Sequence, residues 1–350
     1  MGKVIAVVGA GAVGGYVGGL LARQGHDVTL IDPWPEHIDE ISKNGLKIKG
    51  LSPEEDYVVD AKTMHLTEVQ SLSKMKPVDI AFISVKSYDT EWATMLIAPY
   101  LAPDGYVVSL QNCINDERIA KLVGWGRAVG CIVSRVSADL VAAGDVRRTS
   151  PFVGAGSNTF YVGEVHGRIT KRLEELAEMI DAIDGCLTTT NLWGTRWSKL
   201  CVNVIRNGVS AATGLGGNGR DANETARRFS IRLGGEAVRI GKALGYDFDK
   251  VATYNAESLA LASEDDAAAL KEIEDIIAHE LKTSGRSDAQ LPSMGQDILK
   301  GRRTEIDFIN GFVAGHGERI GIPAPANVII TDLVKKVERG ELKADPGNLP

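Results

Sequence analysis

The sequence predicts an α/β chain: an N-terminal Rossmann-type, doubly wound parallel sheet followed by an all-α C-terminal domain. Three observations carry this. A short apolar run, Val4-Ile5-Ala6-Val7-Val8, leads directly into Gly9-Ala10-Gly11-Ala12-Val13-Gly14, a helical stretch, and a second strand closed by Asp32. Buried-type strand runs recur at 80–85 and 106–110, with room for helices between them. Beyond residue 190 the strand signals stop, and long helical patterns run to about residue 339. The expected division is therefore 1–190 for a dinucleotide-binding domain and 191–350 for a helical substrate or catalytic domain.

Length and composition agree with two globular domains. The chain has 350 residues, and about 150 per domain is typical. Hydrophobic residues make up 44% and charged residues 24%, so a core is affordable and wholesale disorder is excluded. The formal charge is −7, from 39 basic and 46 acidic residues, which is not the footprint of a nucleic-acid binder. Cys113, Cys131, Cys186 and Cys201 are too scattered for a disulfide framework or a C-x-x-C site, and read as small buried hydrophobes. The six histidines show no ligand spacing, so no metal is expected.

The first element needs a decision. Residues 4–22 carry no charge and could nominate a membrane span, with Gly11/Gly15 and Gly14/Gly18 spelling G-x-x-x-G. Six of those residues are glycine, which weakens a helix, and the apolar part has the length and β-branching of a buried strand. No cleavage pattern follows, and Ala6 stands where a myristoylation signal wants Ser or Thr. The expectation is a soluble cytoplasmic protein without a membrane partner.

Each part of the strand–turn–helix has a physical task. Gly9 permits the tight turn, Gly11 lets backbone approach a pyrophosphate, and Gly14 lets the helix lie close to the sheet. The N–H groups of Ala12 and Val13 belong to the helix N-terminus, whose dipole favours an anion. Asp32, eighteen residues after Gly14, is placed to accept both ribose hydroxyl protons. It would repel a 2′-phosphate, and the next cation in sequence is Lys43, so NAD(H) is expected rather than NADP. Lys86 and Asn112 follow the next two strands, at carboxyl ends where ligands sit; a solvated lysine and a turn asparagine are the alternatives. Residues 128–133 and 160–162 are further strands.

In the second half, residues 192–212 carry an apolar stripe of Trp193, Trp197, Leu200, Val204 and Ala211. Lys199, Asn203 and Asn207 lie beside it at i, i+4, i+8, on one face, which is either functional or merely solvated. Glu305, in the segment 293–318, has Ile298, Ile309 and Phe312 at helical offsets. An unpaired carboxylate in such a stripe is costly, so it faces a polar partner or cleft, or else pairs at the rim with Arg302 or Arg303. The charged, alanine-rich tract 255–288 reads as solvated helices.

These residues together resemble the ketopantoate reductases (2-dehydropantoate 2-reductases), within the 6-phosphogluconate dehydrogenase-like superfamily, over nearly the full length. Five stretches carry the resemblance: the glycine turn, Val85-Lys86-Ser87, Leu110-Gln111-Asn112, Trp197-Ser198-Lys199-Leu200 with Asn203 and Asn207, and the run from Ser293 through Thr304-Glu305-Ile306-Asp307 to Asn310-Gly311. The resemblance implies a hydride transfer between a nicotinamide cofactor and a small 2-keto or 2-hydroxy acid such as 2-dehydropantoate, in pantothenate biosynthesis. It implies that Lys199 is the catalytic lysine and Glu305 its paired glutamate. Asn203, Asn207 and Ser293 would hold the substrate's carboxylate and hydroxyl, and Lys86 and Asn112 would flank nicotinamide and substrate. A homodimer is compatible with it.

Three departures stand out. Well-known members favour NADPH, whereas Asp32 points to NAD. Cys113 stands where a glycine is usual, and the chain is longer around 255–291. Oxidation of a different hydroxy acid with NAD, and a non-catalytic NAD-binding regulator, are the two rival readings.

Overall fold

The computed structural model describes residues 2–248, 250–283 and 290–350. The chain divides into two compact units, Met1–Leu192 and Trp193–Pro350. The first alternates strand and helix: β1 (Val4–Val8), α1 (Ala12–Arg23), β2 (Asp27–Asp32), α2 (Pro35–Asn44), β3 (Leu46–Lys49), β4 (Tyr57–Val59), β5 (Lys62–His65), β6 (Val78–Ile83), α3 (Thr90–Ile97), β7 (Leu101–Ser109), α4 (Asp116–Val123), β8 (Ala128–Val133), β9 (Ala138–Ala142), β10 (Asp145–Arg148), β11 (Phe160–Glu164), α5 (Lys171–Asp184) and β12 (Cys186–Thr188).

The main sheet has the order β12-β11-β8-β7-β6-β1-β2-β5. From β5 to β8 every pairing is parallel, while β11 joins antiparallel to β8 and β12 parallel to β11. Strand order reverses between β1 and β6. That reversal opens a crevice at the carboxyl ends of the strands, where α/β sheets of this type take their ligands.

A second, smaller sheet, in the order β4-β3-β10-β9, was not legible in the sequence. It explains the glycines of α1. A Cβ at Gly18 would lie 2.7 Å from Leu30 and 2.9 Å from Val7, on the main sheet. At Gly19 it would lie 2.7 Å from Ile48, and at Gly15 3.1 Å from Val146, both on the small sheet. α1 is thus clamped between two sheets, and residues 14–21 are all buried. The uncharged N-terminal run is a strand and a twelve-residue helix, and no described helix is long and apolar enough to cross a membrane.

Beneath α1 lies a buried polar cluster. Arg148 pairs with Asp184 and donates to the Tyr16 hydroxyl at 2.8 Å. Asp184 in turn accepts from Val153 and Gly154 N–H at 3.0 and 2.9 Å. Burial pushes the Tyr16 hydroxyl up to about 12, against the pull of Arg148.

The second unit comprises α6 (Leu192–Thr213), α7 (Gly217–Ala222), α8 (Glu224–Ala243), a short ribbon β13 (Lys250–Val251) and β14 (Tyr254–Asn255), α9 (Ala256–Ala262), α10 (Ala267–Thr283), α11 (Ser293–Leu299), α12 (Asn310–Ile320) and α13 (Pro325–Glu338). α8 lies on α6 through two glycine notches: a Cβ at Gly241 would stand 2.0 Å from the Trp197 indole, and at Gly234 2.8 Å from Ile205. The indole N–H donates to Ala237 C=O at 2.9 Å. Glu236 accepts from the N–H groups of Ala326 and Asn327 at 2.9 and 3.0 Å, a buried carboxylate at the N-terminus of α13.

Two expectations change. The tract from 255 is not merely solvated: Leu259, Ile273 and Ile277 are buried, so α9 and α10 are amphipathic; its last residues, 284–288, lie outside the described residues. Nor does one helix span 293–318. α11 stops at Leu299, and Gly301 takes a φ of +62°. Helical offsets around Glu305 therefore carry no meaning, although the carboxylate is buried.

Candidate active site

At the end of β1, Gly9 has φ +96° and donates to Ile31 C=O at 2.8 Å. A Cβ there would stand 2.7 Å from Val85 N, so the turn lies directly on the segment that follows β6. Gly14 is tighter still: its Cβ would fall 1.9 Å from Gly9 C=O. Gly11 is different. A Cβ there would meet nothing within 4 Å, so the protein's own packing does not ask for glycine at that position. Gly11 is the N-cap of α1 without a side-chain cap, and no acidic residue stands in the first turn. The N–H groups of Ala12 and Val13 in that turn have no intrahelical acceptor. Open space in front of uncapped N–H donors fits a diphosphate.

Asp32 closes β2 and is partly buried, with Oδ1 accepting from Trp34 N–H at 2.9 Å. The neighbouring strand β5 brings His65 into register with it, but His65 Nε2 bonds Asp39 Oδ1 at 2.9 Å. Lys43 is exposed in the last turn of α2.

Lys86 and Asn112 sit on two loops at the carboxyl ends of β6 and β7, both partly buried. Three side chains not singled out from the sequence tie these loops together. Gln111 Nε2 donates to Val85 C=O at 2.7 Å and Thr90 Oγ1 at 2.9 Å. Asn115 Nδ2 donates to Ser87 Oγ and to Asn112 C=O, both at 3.0 Å. Arg118 Nη1 donates to Ser87 C=O at 2.6 Å. The signal was available: polar residues crowd 111–118, and such a cluster after a parallel strand has backbone to hold. Cys113, between them, is buried and has φ +68°. The left-handed backbone that a glycine would adopt freely is kept here by a cysteine.

In the second unit, α6 presents Lys199, Asn203 and Asn207 one turn apart. Both asparagines are buried, at 8% and 4% exposure, so this is not a solvated face. The Asn203 amide nitrogen is buried without a hydrogen-bond partner. Burial lowers the Lys199 ammonium from 10.5 to about 8, assisted by the positive charge of Arg206. Ser293 opens α11, and that helix lies against α6: a Cβ at Gly295 would stand 2.4 Å from Ser210 Oγ. Glu305, 5% exposed, is the residue before the turn Ile306–Phe308 that leads into α12. Asn310, at the start of α12, donates to Val204 C=O at 3.2 Å. Thus α6 anchors both segments that carry Ser293 and Glu305. Ser210, also buried with no partner for its hydroxyl, lies on the same side of α6 and escaped the sequence reading.

A doubly wound sheet with an open, uncapped glycine turn, and a separate helical unit that carries a partly buried lysine beside two buried asparagines, fit a nicotinamide-dependent oxidoreductase. Comparison with known proteins makes this specific. The ketopantoate reductase PanE/ApbA family profile matches residues 5–166, and its C-terminal counterpart matches residues 191–338. A 2-dehydropantoate 2-reductase from Archaeoglobus fulgidus is 30% identical over 337 residues, 96% of this chain and 98% of that one. A crystal structure of a ketopantoate reductase from Ralstonia eutropha JMP134 matches with a TM-score of 0.76 at 28% identity, over 96% of this chain and 99% of that one. D-mandelate dehydrogenase with NADH and anilino(oxo)acetate shares the fold, with a TM-score of 0.77 at 23% identity over 96% and 98% of the two chains. The chain belongs to the ketopantoate reductase family, whose members are oxidoreductases acting on CH–OH groups.

Proposed function

We propose that this protein reduces 2-dehydropantoate, or a close 2-keto acid, with NADH. The first unit would hold the cofactor and the second the substrate. The observation that carries the reading is the face of α6 where Lys199, drawn down to about 8, stands one turn from the buried Asn203, whose amide nitrogen has no hydrogen-bond partner. Burying an amide nitrogen without a hydrogen-bond partner is costly unless a ligand completes it.

When bound, the reduced nicotinamide supplies a hydride to the keto carbon. Negative charge then develops on the carbonyl oxygen, and the Lys199 ammonium both stabilises it and donates the proton. At pH 7 a group near 8 is mostly protonated, which suits a donor; just above 8 the neutral amine becomes available to take the proton back in the reverse direction. Glu305 accepts from the product hydroxyl. Asn203, Asn207 and Ser293 orient the carboxylate and the substrate hydroxyl, and Lys86 and Asn112 bound the reacting carbon. In the first unit, Gly9, Gly11 and Gly14 shape the turn, the N–H groups of Ala12 and Val13 bind the diphosphate, and Asp32 accepts from the adenosine ribose. Asp32 supports NADH over NADPH, because a 2′-phosphate would meet a carboxylate.

The test is the fall in 340 nm absorbance with ketopantoate and either NADH or NADPH. Turnover with NADH supports the whole reading, and turnover with NADPH alone would overturn the role given to Asp32. Asp32 also favours the second reading, in which the chain oxidises another hydroxy acid with NAD. Silence with ketopantoate and both cofactors, followed by NAD reduction with a hydroxy acid, would establish that one instead.

A further inference from the structure

The first unit holds a cavity of about 210 Å³ that none of the residues assigned to cofactor or substrate lines. One wall is the face of α1 beyond the glycine turn, where Tyr16, Leu20, Arg23 and Gln24 follow at helical spacing. Ile48 and Tyr57 of the small sheet and Ile183 of α5 close the other sides. Arg148 also lines it, but this guanidinium is already satisfied: it pairs with Asp184 and donates to the Tyr16 hydroxyl and to the carbonyls of Ser150 and Pro151. Lys49 is likewise paired, with Asp145 at 3.0 Å. Two charges remain on the lining. Arg23 holds its guanidinium carbon 4.0 Å from the centre of the Tyr57 ring, and no carboxylate among the described residues pairs with it. Glu55 accepts from Leu51 N–H at 3.3 Å, and no cation among the described residues pairs with it. A Cβ at Gly50 would stand 2.2 Å from Glu55 Oε2, so the glycine leaves the room in which that carboxylate sits.

We propose that this cavity binds a free amino acid with an aromatic or branched apolar side chain, its carboxylate on Arg23 and its ammonium on Glu55. Two unpaired charges of opposite sign on one cavity complement a zwitterion. A simple carboxylate would be repelled by Glu55, and a simple amine by Arg23. The two heads line the same space without forming an ion pair, so a group that carries both charges can stand between them. The size agrees. A cavity of about 150 Å³ holds a benzene molecule, so this one holds a phenyl or isobutyl group against Leu20, Ile48 and Ile183. The charged head then stays at the mouth, where Arg23 and Gln24 are exposed. Phe152, 54% exposed and also on the lining, is an apolar ring that such a side chain would cover. The site stands apart from the NADH and ketopantoate reading and does not depend on it.

The test uses the full chain and four probes: phenylalanine, leucine, 3-phenylpropionate, which lacks the ammonium, and phenethylamine, which lacks the carboxylate. Binding is followed by calorimetry, with thermal unfolding as a control for folding. Phenylalanine or leucine should bind, and each single-charge analogue should bind about tenfold more weakly than phenylalanine, as loss of one charge-assisted hydrogen bond implies. Arg23→Met and Glu55→Gln should each weaken the amino acids by about tenfold. Glu55→Gln should not weaken 3-phenylpropionate, and Arg23→Met should not weaken phenethylamine. Gly50→Ala should act as Glu55→Gln does, by displacing the carboxylate. Ala182→Trp, at an exposed position on the lining, should abolish binding by filling the cavity, whereas Lys199→Ala should bind the amino acids as wild type does. Wild-type affinity for phenylalanine in a folded Ala182→Trp protein would overturn the proposal. So would equal affinity for phenylalanine and 3-phenylpropionate. No binding of either amino acid to the folded wild type at about 10 mM would also overturn it, because ligands of this size at ordinary efficiency per atom reach a Kd of a few millimolar.

Discussion

Replacing Lys199 by methionine should make the protein more stable and inactive at once. The side chain keeps its length and loses its charge. In the folded chain the ammonium is held near 8 rather than 10.5, chiefly by burial. Each pH unit of such a displacement corresponds to about 1.4 kcal/mol, so full desolvation would cost roughly 3 kcal/mol below pH 8. Lys199 is only partly buried by accessibility, and solvent screening reduces the expected gain to about 1–2 kcal/mol. The sign follows from proton binding. Between 8 and 10.5 the unfolded chain holds more protons on this lysine than the folded chain, so wild-type stability rises with pH across that window. The methionine variant has no such dependence. Urea unfolding at pH 7, 8, 9 and 10 reads the difference directly: the variant's advantage should be largest at pH 7 and shrink steadily above 8. A variant less stable than wild type at pH 7, or a difference independent of pH, would refute the claim that burial controls Lys199.

Other outcomes follow from particular atoms. Gly11→Ala should change stability by no more than about 1 kcal/mol, the N-cap preference, yet weaken NADH binding, whereas Gly14→Ala should destabilise by about 3 kcal/mol or fail to fold because backbone cannot yield; thermal melts with and without NADH separate the two. At position 113, with φ +68°, alanine should be less stable than glycine by about 1 kcal/mol, the reverse of the usual order, and denaturant midpoints of Cys113→Ala and Cys113→Gly would show it. Asp32→Ser should raise the NADPH-to-NADH ratio of kcat/KM about tenfold, as removal of a like charge near the surface is worth ~1–4 kcal/mol at close range.

The fold was legible where periodicity or chemistry is local. β1, the glycine turn, α1 and β2 follow one another without a gap, and α6 shows its apolar stripe over 22 residues. The small sheet was invisible because β3, β4 and β10 are four, three and four residues long. Too few positions remain there for alternation to emerge, and the glycines of α1 that accommodate them read first as helix weakeners. Glu305 shows a different limit. A cleft-facing carboxylate was one of two readings, the other being a rim carboxylate beside Arg302 or Arg303; Glu305 is buried, but the helical offsets behind the first reading do not exist, because the helix stops before Gly301. Gln111 was quoted without a role and Asn115 and Arg118 were passed over: the crowding of polar residues at 111–118 shows in the sequence, but the neighbouring loop at 85–90 that they tie down does not. The buried His37 bonds Ala10 C=O, 27 positions away, and Gly144 N–H, 107 positions away, a link that only the folded chain displays.

The most direct test of the account is a paired measurement on wild type and Lys199→Ala: steady-state reduction of ketopantoate with NADH, and NADH affinity by calorimetry. The account predicts turnover in wild type, a fall of about a hundredfold or more in kcat for the variant, and unchanged NADH affinity. Undiminished turnover in the variant would contradict it, because the chemistry would then lie elsewhere than on α6.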